Sequence, residues 1–329
     1  MSCVRVLLPG IPLEVSPLCL GTVPLGAPLD QTASFALLDR FAELGGNFID
    51  TARMYSDWIP GEKSRSERVL GDWLAARGNR DCMVVATKGM HPELSTAHIP
   101  RSSVAEIRAD LEGSLRTLRV DAIDLYWLHR DDPARPVEHF VDLLNAFVRE
   151  GKIRAFGFSN WAADRLREAH DYARRSGQLT LAANQPFWCL GNKQSKPPPH
   201  LGLAWLERAA HEFHVETGIA VIPYTSQAKG FFARALLPPE KQPRDFAEHE
   251  FNTPANVALA GVVGAIARAR GVTPNAIVLG YLWTRAFPVV PIVGASNPAQ
   301  LDDNFAAIGF RLSADEMRAL EAASNSGLG

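Results

Sequence analysis

The sequence predicts an α/β fold, a (β/α)8 TIM barrel with an N-terminal β-hairpin plug and extra helices at its C-terminal end. Eight short apolar runs alternate with amphipathic stretches along almost the whole chain. The runs are continuously apolar, which is typical of parallel strands buried on both faces. Each is followed by a helical pattern, and eight strand–helix units is the number that closes a barrel. An open doubly wound sheet is the alternative that the same pattern allows.

The predicted strands are short and rich in apolar residues. They span residues 18–21, 47–50, 83–88, 123–129, 154–160, 181–185, 219–224 and 289–294. Before the first of them, a Pro9-Gly10 turn separates two apolar segments, which predicts a hairpin closing one end of the barrel.

Local signals mark the ends of several helices. Ser103 and Glu106 have the spacing of a capping box, and Ser313 and Glu316 repeat it before the last helix. Gly45 and Gly46 predict the end of a helix. The apolar positions of that helix recur at helical spacing, namely Phe35, Leu38, Phe41 and Leu44.

No interdomain linker or internal repeat is visible, and we interpret residues 1–329 as a single barrel domain. Two segments are longer than ordinary barrel loops. Residues 192–201 contain Pro197-Pro198-Pro199 and predict an extended connection, and residues 225–255 show no clear periodicity. Long loops within a compact domain are usually binding loops or lids.

Composition excludes several classes of function. The 34 lysine and arginine residues against 36 aspartate and glutamate residues give a net charge of −2, which argues against nucleic acid as the main partner. No apolar run approaches the ~18 residues of a membrane span, and the N-terminus makes a poor signal peptide. The four cysteines are scattered, which predicts reduced thiols and a cytoplasmic location. His211 and His214 lack zinc-site spacing, so we expect a solvated helix face and no metal.

Charged and polar residues end three consecutive predicted strands. These are Asp50, Lys88 and His129. In a barrel they would meet at the carboxyl-terminal rim, where the active sites of such barrels lie. Tyr55 follows in the loop after Asp50. The alternative for Asp50 and Lys88 is a purely structural ion pair that closes the top of the barrel.

Together these four residues predict a proton-transfer unit. An isolated phenol titrates near ~10, and a neighbouring ammonium favours its ionised form. We therefore expect Lys88 to tune Tyr55, Asp50 to orient Lys88, and His129 to hydrogen-bond the reacting oxygen.

The later strands end in neutral groups that suit an amide-bearing ring such as nicotinamide. Strands five, six and seven end in Ser159-Asn160, Gln185 and Tyr224. Strand eight continues into a turn that contains Gly294 and feeds a helix N-terminus, a common anion site. The polar residues of this segment are Ser296, Gln300, Asp303 and Asn304.

These motifs resemble the aldo-keto reductase superfamily, and the resemblance runs from about Leu18 to about Leu320. It is carried by GGNFIDTARMY, ATKG and DLYWLHRDDP, with support from GKIRAFGFSNW and PIVGASNPAQLDDN. The resemblance implies a barrel that binds NAD(P)H without a Rossmann domain. It also implies hydride transfer to an aldehyde or ketone, a small-molecule carbonyl substrate.

Carried over position by position, the resemblance implies roles for individual residues. The catalytic set is Asp50, Tyr55, Lys88 and His129, with Tyr55 as proton donor. The cofactor-binding set is Thr22, Ser159, Asn160, Gln185, Tyr224, Thr225, Gly294, Ser296, Gln300, Asp303 and Asn304. The segment GASNPAQLDDN has no basic residue for the phosphate of NADPH, and Asp302 adds negative charge. NADP(H) is favoured because it is the family's commoner cofactor, and NAD(H) is possible.

Large aromatic side chains in the predicted loops suggest a substrate wall. They are Trp58, Trp161, Trp188 and Phe231, with Phe232 beside the last. The alternative is that they only cover the barrel mouth. His91 and His98 either rim the pocket or are ordinary loop residues.

Two other functions are compatible with the sequence. One is a regulatory module that binds nicotinamide and turns over slowly, as in the potassium-channel β-subunit branch. The other is a Schiff-base aldolase using Lys88. Sugar-derived ketones, aliphatic aldehydes and aryl aldehydes all remain candidate substrates, and the oligomeric state is open.

Overall fold

Eight parallel strands form the centre of the molecule in a computed structural model that describes residues 5–191 and 202–324. The strands are β1 (Cys19–Gly21), β2 (Phe48–Asp50), β3 (Val84–Gly89), β4 (Ile123–Leu128), β5 (Ile153–Ser159), β6 (Ala183–Gln185), β7 (Ala220–Val221) and β8 (Ile292–Val293). Each of them overlaps one predicted apolar run, so the prediction of eight strands is confirmed. The predicted extended connection at residues 192–201 lies outside the described residues.

The strands close into a barrel and do not form an open sheet. Consecutive strands pair in parallel from β1 to β7, and β1 also pairs with β8. A parallel bridge between Val221 and Val289 joins the two ends of this order, and the Val290 amide donates to the Val221 carbonyl over 2.9 Å. The predicted fold class is therefore confirmed.

Eleven helices surround the strands within the described residues. They are α1 (Gln31–Glu43), α2 (Arg65–Arg77), α3 (Val104–Leu118), α4 (Val137–Arg149), α5 (Ala163–Arg175), α6 (Arg208–Thr217), α7 (Phe231–Ala235), α8 (Pro254–Arg270), α9 (Pro274–Trp283), α10 (Pro298–Ala306) and α11 (Ala314–Ser324). The capping box at Ser103 is present, since its hydroxyl accepts from the Glu106 amide at the start of α3. Ser313 and Glu316 make the same exchange before α11.

The predicted hairpin forms the floor of the barrel. Val6 and Val15 exchange two antiparallel backbone hydrogen bonds of 2.8 and 2.9 Å. Leu8 and Ile11 are buried in one apolar cluster with Trp127 of β4 and Val290 beside β8. At the turn, Gly10 has a φ of +80°, and a Cβ there would lie 3.2 Å from the Arg154 carbonyl oxygen, so glycine suits this contact.

The irregular segment at residues 225–255 packs onto the barrel through its aromatic residues. It contains α7 and three single turns of 3-10 helix. Phe231, Phe232 and Phe246 are buried in a cluster with residues of α8 and α9. Such a segment gives no periodic pattern because each helical turn is too short to show one.

The expectation of a solvated helix face on α6 is wrong for His214. Its side chain is fully buried, with Nδ1 2.9 Å from the Ile219 carbonyl oxygen and Nε2 3.0 Å from the Asn184 amide nitrogen. Burial lowers the pKa of His214 to about 4. Within residues 5–191 and 202–324, no group of three or more His, Cys, Asp and Glu side chains could hold a metal ion.

No single helix in the described part of the chain is long and apolar enough to cross a membrane. Helices α8 and α9 pass the length and composition test only when taken together, and they are bent by 99° at their junction. Both contribute side chains to the buried cluster around Phe231, which accounts for their apolar composition.

Candidate active site

The carboxyl ends of β2, β3 and β4 bring the four predicted catalytic residues together. Lys88 Nζ forms an ion pair with the Asp50 carboxylate and donates hydrogen bonds to the Thr51 carbonyl oxygen (2.8 Å) and the Tyr55 hydroxyl (2.9 Å). The Lys88 ammonium therefore bridges Asp50 and Tyr55. Asp50 and Lys88 are each only 1% exposed.

The Asp50 carboxylate is held by further donors. Its Oδ1 accepts from Trp127 Nε1 over 3.1 Å and from Gln185 Nε2 over 3.0 Å. A buried charge is tolerated when it is paired and hydrogen-bonded, and Asp50 meets both conditions. Trp127 holds this carboxylate from β4. Sequence reasoning missed this role because a tryptophan within an apolar strand has the pattern of a core residue.

The protonation states follow from burial and neighbouring charge. Burial acts to lower the pKa of Lys88, but Asp50 and Tyr55 outweigh it and the net shift is upward, so Lys88 is an ammonium. Burial raises the pKa of Tyr55, Lys88 opposes this, and the net shift is again upward. Lys88 therefore acts on the pKa of Tyr55 in the expected direction, towards the ionised phenol, and burial outweighs this effect. Tyr55 therefore remains a neutral phenol at neutral pH.

His129 lies beside Tyr55 as a neutral imidazole. The two rings meet edge to face with centroids 6.1 Å apart. Burial lowers the pKa of His129 well below its ordinary value, and Arg130, His91 and Lys88 lower it further. Nδ1 of His129 has no hydrogen-bond partner among the described residues. A neutral imidazole can donate one N–H to an oxygen placed in the cavity.

These shifts predict the pH dependence of any reaction in which Tyr55 gives up a proton beside a neutral His129. The acidic form of Tyr55 is lost only as pH rises through a pKa above 10, and the neutral form of His129 is lost only as pH falls through a pKa well below 6.5. We expect kcat/KM at saturating cofactor to stay flat between about pH 6.5 and 9 when initial rates are measured across that range. A half-loss of activity near pH 6.5 would contradict the neutral state of His129.

One cavity of about 850 Å³ opens above these residues, a volume within the usual range for ligand pockets. Asp50, Tyr55 and His129 line it, and Lys88 lies behind them. Ten of the eleven predicted cofactor-binding residues also line it: Ser159, Asn160, Gln185, Tyr224, Thr225, Gly294, Ser296, Gln300, Asp303 and Asn304. The eleventh, Thr22, is buried beneath the wall, where its hydroxyl donates to the Asp50 carbonyl oxygen over 3.0 Å.

Hydrogen bonds order the polar wall near Tyr55. The Tyr224 hydroxyl donates to Asn160 Oδ1 over 2.7 Å, and Asn160 Nδ2 donates to the His129 carbonyl oxygen and to the Ser159 hydroxyl, each over 3.1 Å. Asn160 has a φ of +64°, a left-handed conformation that asparagine tolerates better than most residues. The wall therefore presents an aromatic ring beside fixed amide and hydroxyl groups.

Gln227 organises the part of the cavity formed by the segment after β8. Its Nε2 donates to Asn275 Oδ1 (2.9 Å) and to Asn304 Oδ1 (2.7 Å), while its Oε1 accepts from the Gly294 amide (3.2 Å). Asn304 Nδ2 is buried without a partner among the described residues. Gln227 and Asn275 were missed by sequence reasoning because they come from other parts of the chain.

Two basic side chains of residues 225–255 line the cavity, and both come from outside residues 294–304, the segment predicted to bind the phosphates. Lys229 lies just before α7 and Arg234 lies on α7, and both residues line the cavity. Lys229 pairs with Glu250 over 2.5 Å, whereas Arg234 has no carboxylate within 4 Å in the described part of the chain. Arg40 of α1 pairs with Asp302 over 2.7 Å, so the negative charge of that residue is compensated.

None of the four predicted substrate-wall aromatics lines the cavity. Trp58 is 49% exposed, whereas Trp161, Trp188 and Phe231 are buried in the core. The ring of Trp161 stacks on Phe158 with centroids 4.0 Å apart. Packing removes the large apolar surfaces of Trp161, Trp188 and Phe231 from water, whereas Trp58 stays partly exposed.

Arg130 and His91 complete the surroundings of His129. Arg130 lines the cavity, and one of its guanidinium nitrogens lies 3.3 Å from His91 Nε2. The His91 ring contacts His129 with centroids 4.8 Å apart, and burial lowers its pKa to about 4. Arg130 directly follows a predicted catalytic residue, and that position was the available signal for it.

Comparisons with known proteins identify a family and several relatives of this chain. The model of the aldo/keto reductase family matches residues 17–325. A norsolorinic acid reductase of Emericella nidulans is 32% identical over 96% of this chain and 80% of its own length. An aldo-keto reductase of the same organism is 30% identical with the same coverage. An NADP(+) aryl-alcohol dehydrogenase of Phanerodontia chrysosporium is 30% identical over 96% of this chain and 84% of its own length.

Proposed function

The chain belongs to the aldo/keto reductase family and is an oxidoreductase that acts on carbonyl groups with a nicotinamide cofactor, and on this basis we propose that it reduces an aldehyde or ketone with NADPH, with Tyr55 as proton donor. The observation that carries the proposal is the 2.9 Å hydrogen bond from Lys88 Nζ to the hydroxyl of Tyr55, a residue that lines the cavity.

Each of the four predicted catalytic residues has a distinct role in this proposal. A bound nicotinamide would supply the hydride that the carbonyl carbon receives. Tyr55 gives its proton to the carbonyl oxygen, and the Lys88 ammonium stabilises the phenolate that remains. Asp50 keeps Lys88 charged and in place, and His129 donates an N–H to the same oxygen. The raised pKa of Lys88 argues against the aldolase alternative, since a Schiff base needs an uncharged amine.

The cavity residues fit a nicotinamide dinucleotide. Asn160 and Gln185 offer amide groups and Tyr224 offers a ring face beside them, while Asn304 Nδ2 is a buried donor without a partner among the described residues. For the phosphates, Lys229 and Arg234 supply the basic groups that residues 294–304 lack. We propose that Arg234 favours NADPH over NADH, because arginine binds phosphate through a planar set of donors.

Replacing Arg234 with methionine should weaken the binding of NADPH about tenfold or more and change that of NADH much less, because a hydrogen bond to a charged group contributes roughly 1.5–3 kcal/mol. The dissociation constants can be measured by quenching of intrinsic fluorescence. Arg318→Met on α11, which removes an arginine of an exposed ion pair away from the cavity, is the matched control. Equal losses for both cofactors would contradict a role in discrimination.

The activity is tested by adding NADPH and then NADH with a panel of aldehydes and ketones and following the loss of reduced-nicotinamide absorbance. Aryl aldehydes and ketones come first, because two of the relatives are named for norsolorinic acid and aryl alcohols. We expect turnover of aryl carbonyl compounds. No turnover of any panel member with either cofactor would refute the proposed function.

A further inference from the structure

Arg130 places an unpaired positive charge on the cavity wall beside the predicted catalytic residues. We propose that its guanidinium binds a carboxylate of the substrate, so that the preferred substrates are carbonyl compounds that also carry a carboxylate. This inference rests on the proposed function, because it assigns a substrate class to the same site.

The Arg130 guanidinium makes only two polar contacts in the described part of the chain. One nitrogen donates to the carbonyl oxygen of His129 over 2.8 Å, and another lies 3.3 Å from His91 Nε2. No carboxylate of residues 5–191 or 202–324 lies within 4 Å of it. The remaining segments, 1–4, 192–201 and 325–329, contain no aspartate or glutamate. The chain therefore offers this guanidinium no acidic side chain as a partner.

The carboxylates nearest in sequence are already engaged elsewhere. Asp131 accepts two hydrogen bonds from Arg165, of 3.0 and 3.1 Å. Asp132 accepts from the Ser102 hydroxyl over 2.5 Å and lies 3.7 Å from the Arg135 side chain. Both acidic residues point to the helices around the barrel, and only Arg130 of this run faces the cavity.

Hydrogen bonds hold the backbone around Arg130 in place, so the position from which its side chain extends is fixed. Trp161 Nε1 donates to the Arg130 carbonyl oxygen over 3.2 Å, and the Trp161 ring is itself fixed by stacking on Phe158. Asn160 Nδ2 binds the His129 carbonyl oxygen just before it. Trp161, expected in the substrate wall, thus acts beneath that wall as a positioning residue.

The charge balance of the site favours an anionic group in the cavity. Asp50 and Lys88 neutralise each other, and His91 and His129 are neutral because their pKa values are lowered. Burial also lowers the pKa of Arg130, which shows that its charge is incompletely solvated, although arginine stays protonated. A bound carboxylate would satisfy the guanidinium through two parallel hydrogen bonds.

The test compares an acid with its uncharged ester. The dissociation constants of 3-formylbenzoate and 4-formylbenzoate and of their methyl esters are measured by calorimetry, on the full chain alone and with NADP+. Wild type should bind at least one acid about tenfold or more tightly than its ester, since a charged hydrogen bond of roughly 1.5–3 kcal/mol corresponds to factors of about 10–150. In Arg130→Met this preference should disappear. Arg130→Lys should keep part of it, because the charge remains but the paired donors do not.

Arg108→Met, at an exposed ion pair on α3, is the matched control and should keep the wild-type preference. Equal binding of acids and esters by wild type, or an unchanged preference in a folded Arg130→Met, would overturn the inference. The proposed function is judged separately, by whether the esters are reduced with NADPH. If the acid preference is present but neither form is reduced, the proposed function fails and the assignment of Arg130 stands.

Discussion

Tyr55→Phe should lower kcat for carbonyl reduction by roughly 10²–10⁴-fold, the range typical of a lost general acid. The substitution removes the hydroxyl that Lys88 binds at 2.9 Å and keeps the ring that packs against His129. NADPH binding should survive, because the proposed cofactor-binding residues of the cavity are untouched. Single-turnover rates of NADPH oxidation, with the NADPH dissociation constant measured alongside, separate the two effects.

Tyr126→Phe is the matched control for this prediction. Tyr126 is fully buried on β4, its hydroxyl has no partner among the described residues, and it does not line the cavity. Removing that hydroxyl should leave turnover close to wild type. If Tyr55→Phe kept more than about a tenth of the wild-type rate, another group would have to supply the proton.

Lys88→Met should cost both activity and stability. Without the ammonium, the phenolate of Tyr55 loses its compensating charge, and we expect kcat to fall by roughly 10²-fold or more. Asp50 is then left as a buried carboxylate without its counter-charge, and breaking a buried ion pair in this way typically destabilises by about 3–5 kcal/mol. Steady-state kinetics and urea unfolding measure the two losses independently.

The double variant Asp50→Asn, Lys88→Met separates structure from chemistry. With both charges removed, much of the lost stability should return, because no isolated charge remains buried. Activity should not return, since Tyr55 still lacks its cationic neighbour. Recovery of activity together with stability would mean that Lys88 has only a structural role.

The barrel and its central residues could be predicted because they depend on local sequence. A parallel strand buried on both faces is apolar throughout, so each run that ends at Asp50, Lys88 or His129 was visible without knowledge of its partners. Once the strands are placed in a barrel, their carboxyl ends must share one rim, and the proximity of these three residues follows from topology alone.

The remainder of the site depends on contacts between distant segments. Arg40 and Asp302 are far apart in sequence and meet only because α1 packs beside α10. Arg234 reaches the cavity from a segment with no periodic pattern. Trp161 and Trp188 were misassigned because a large apolar residue in a loop can face a ligand or lie in the core, and only packing decides between them.

The hairpin floor has a consequence for the synthesis of this protein. Leu8 and Ile11 share an apolar cluster with Val290 and Ile292, which are added near the other end of the chain. At ~5–20 residues per second, a ribosome needs on the order of 15–60 s to reach those partners. During that interval the apolar side chains of the hairpin lack their final neighbours. Chaperones that bind the nascent chain during translation should therefore improve the yield of folded enzyme, most of all when elongation is slow.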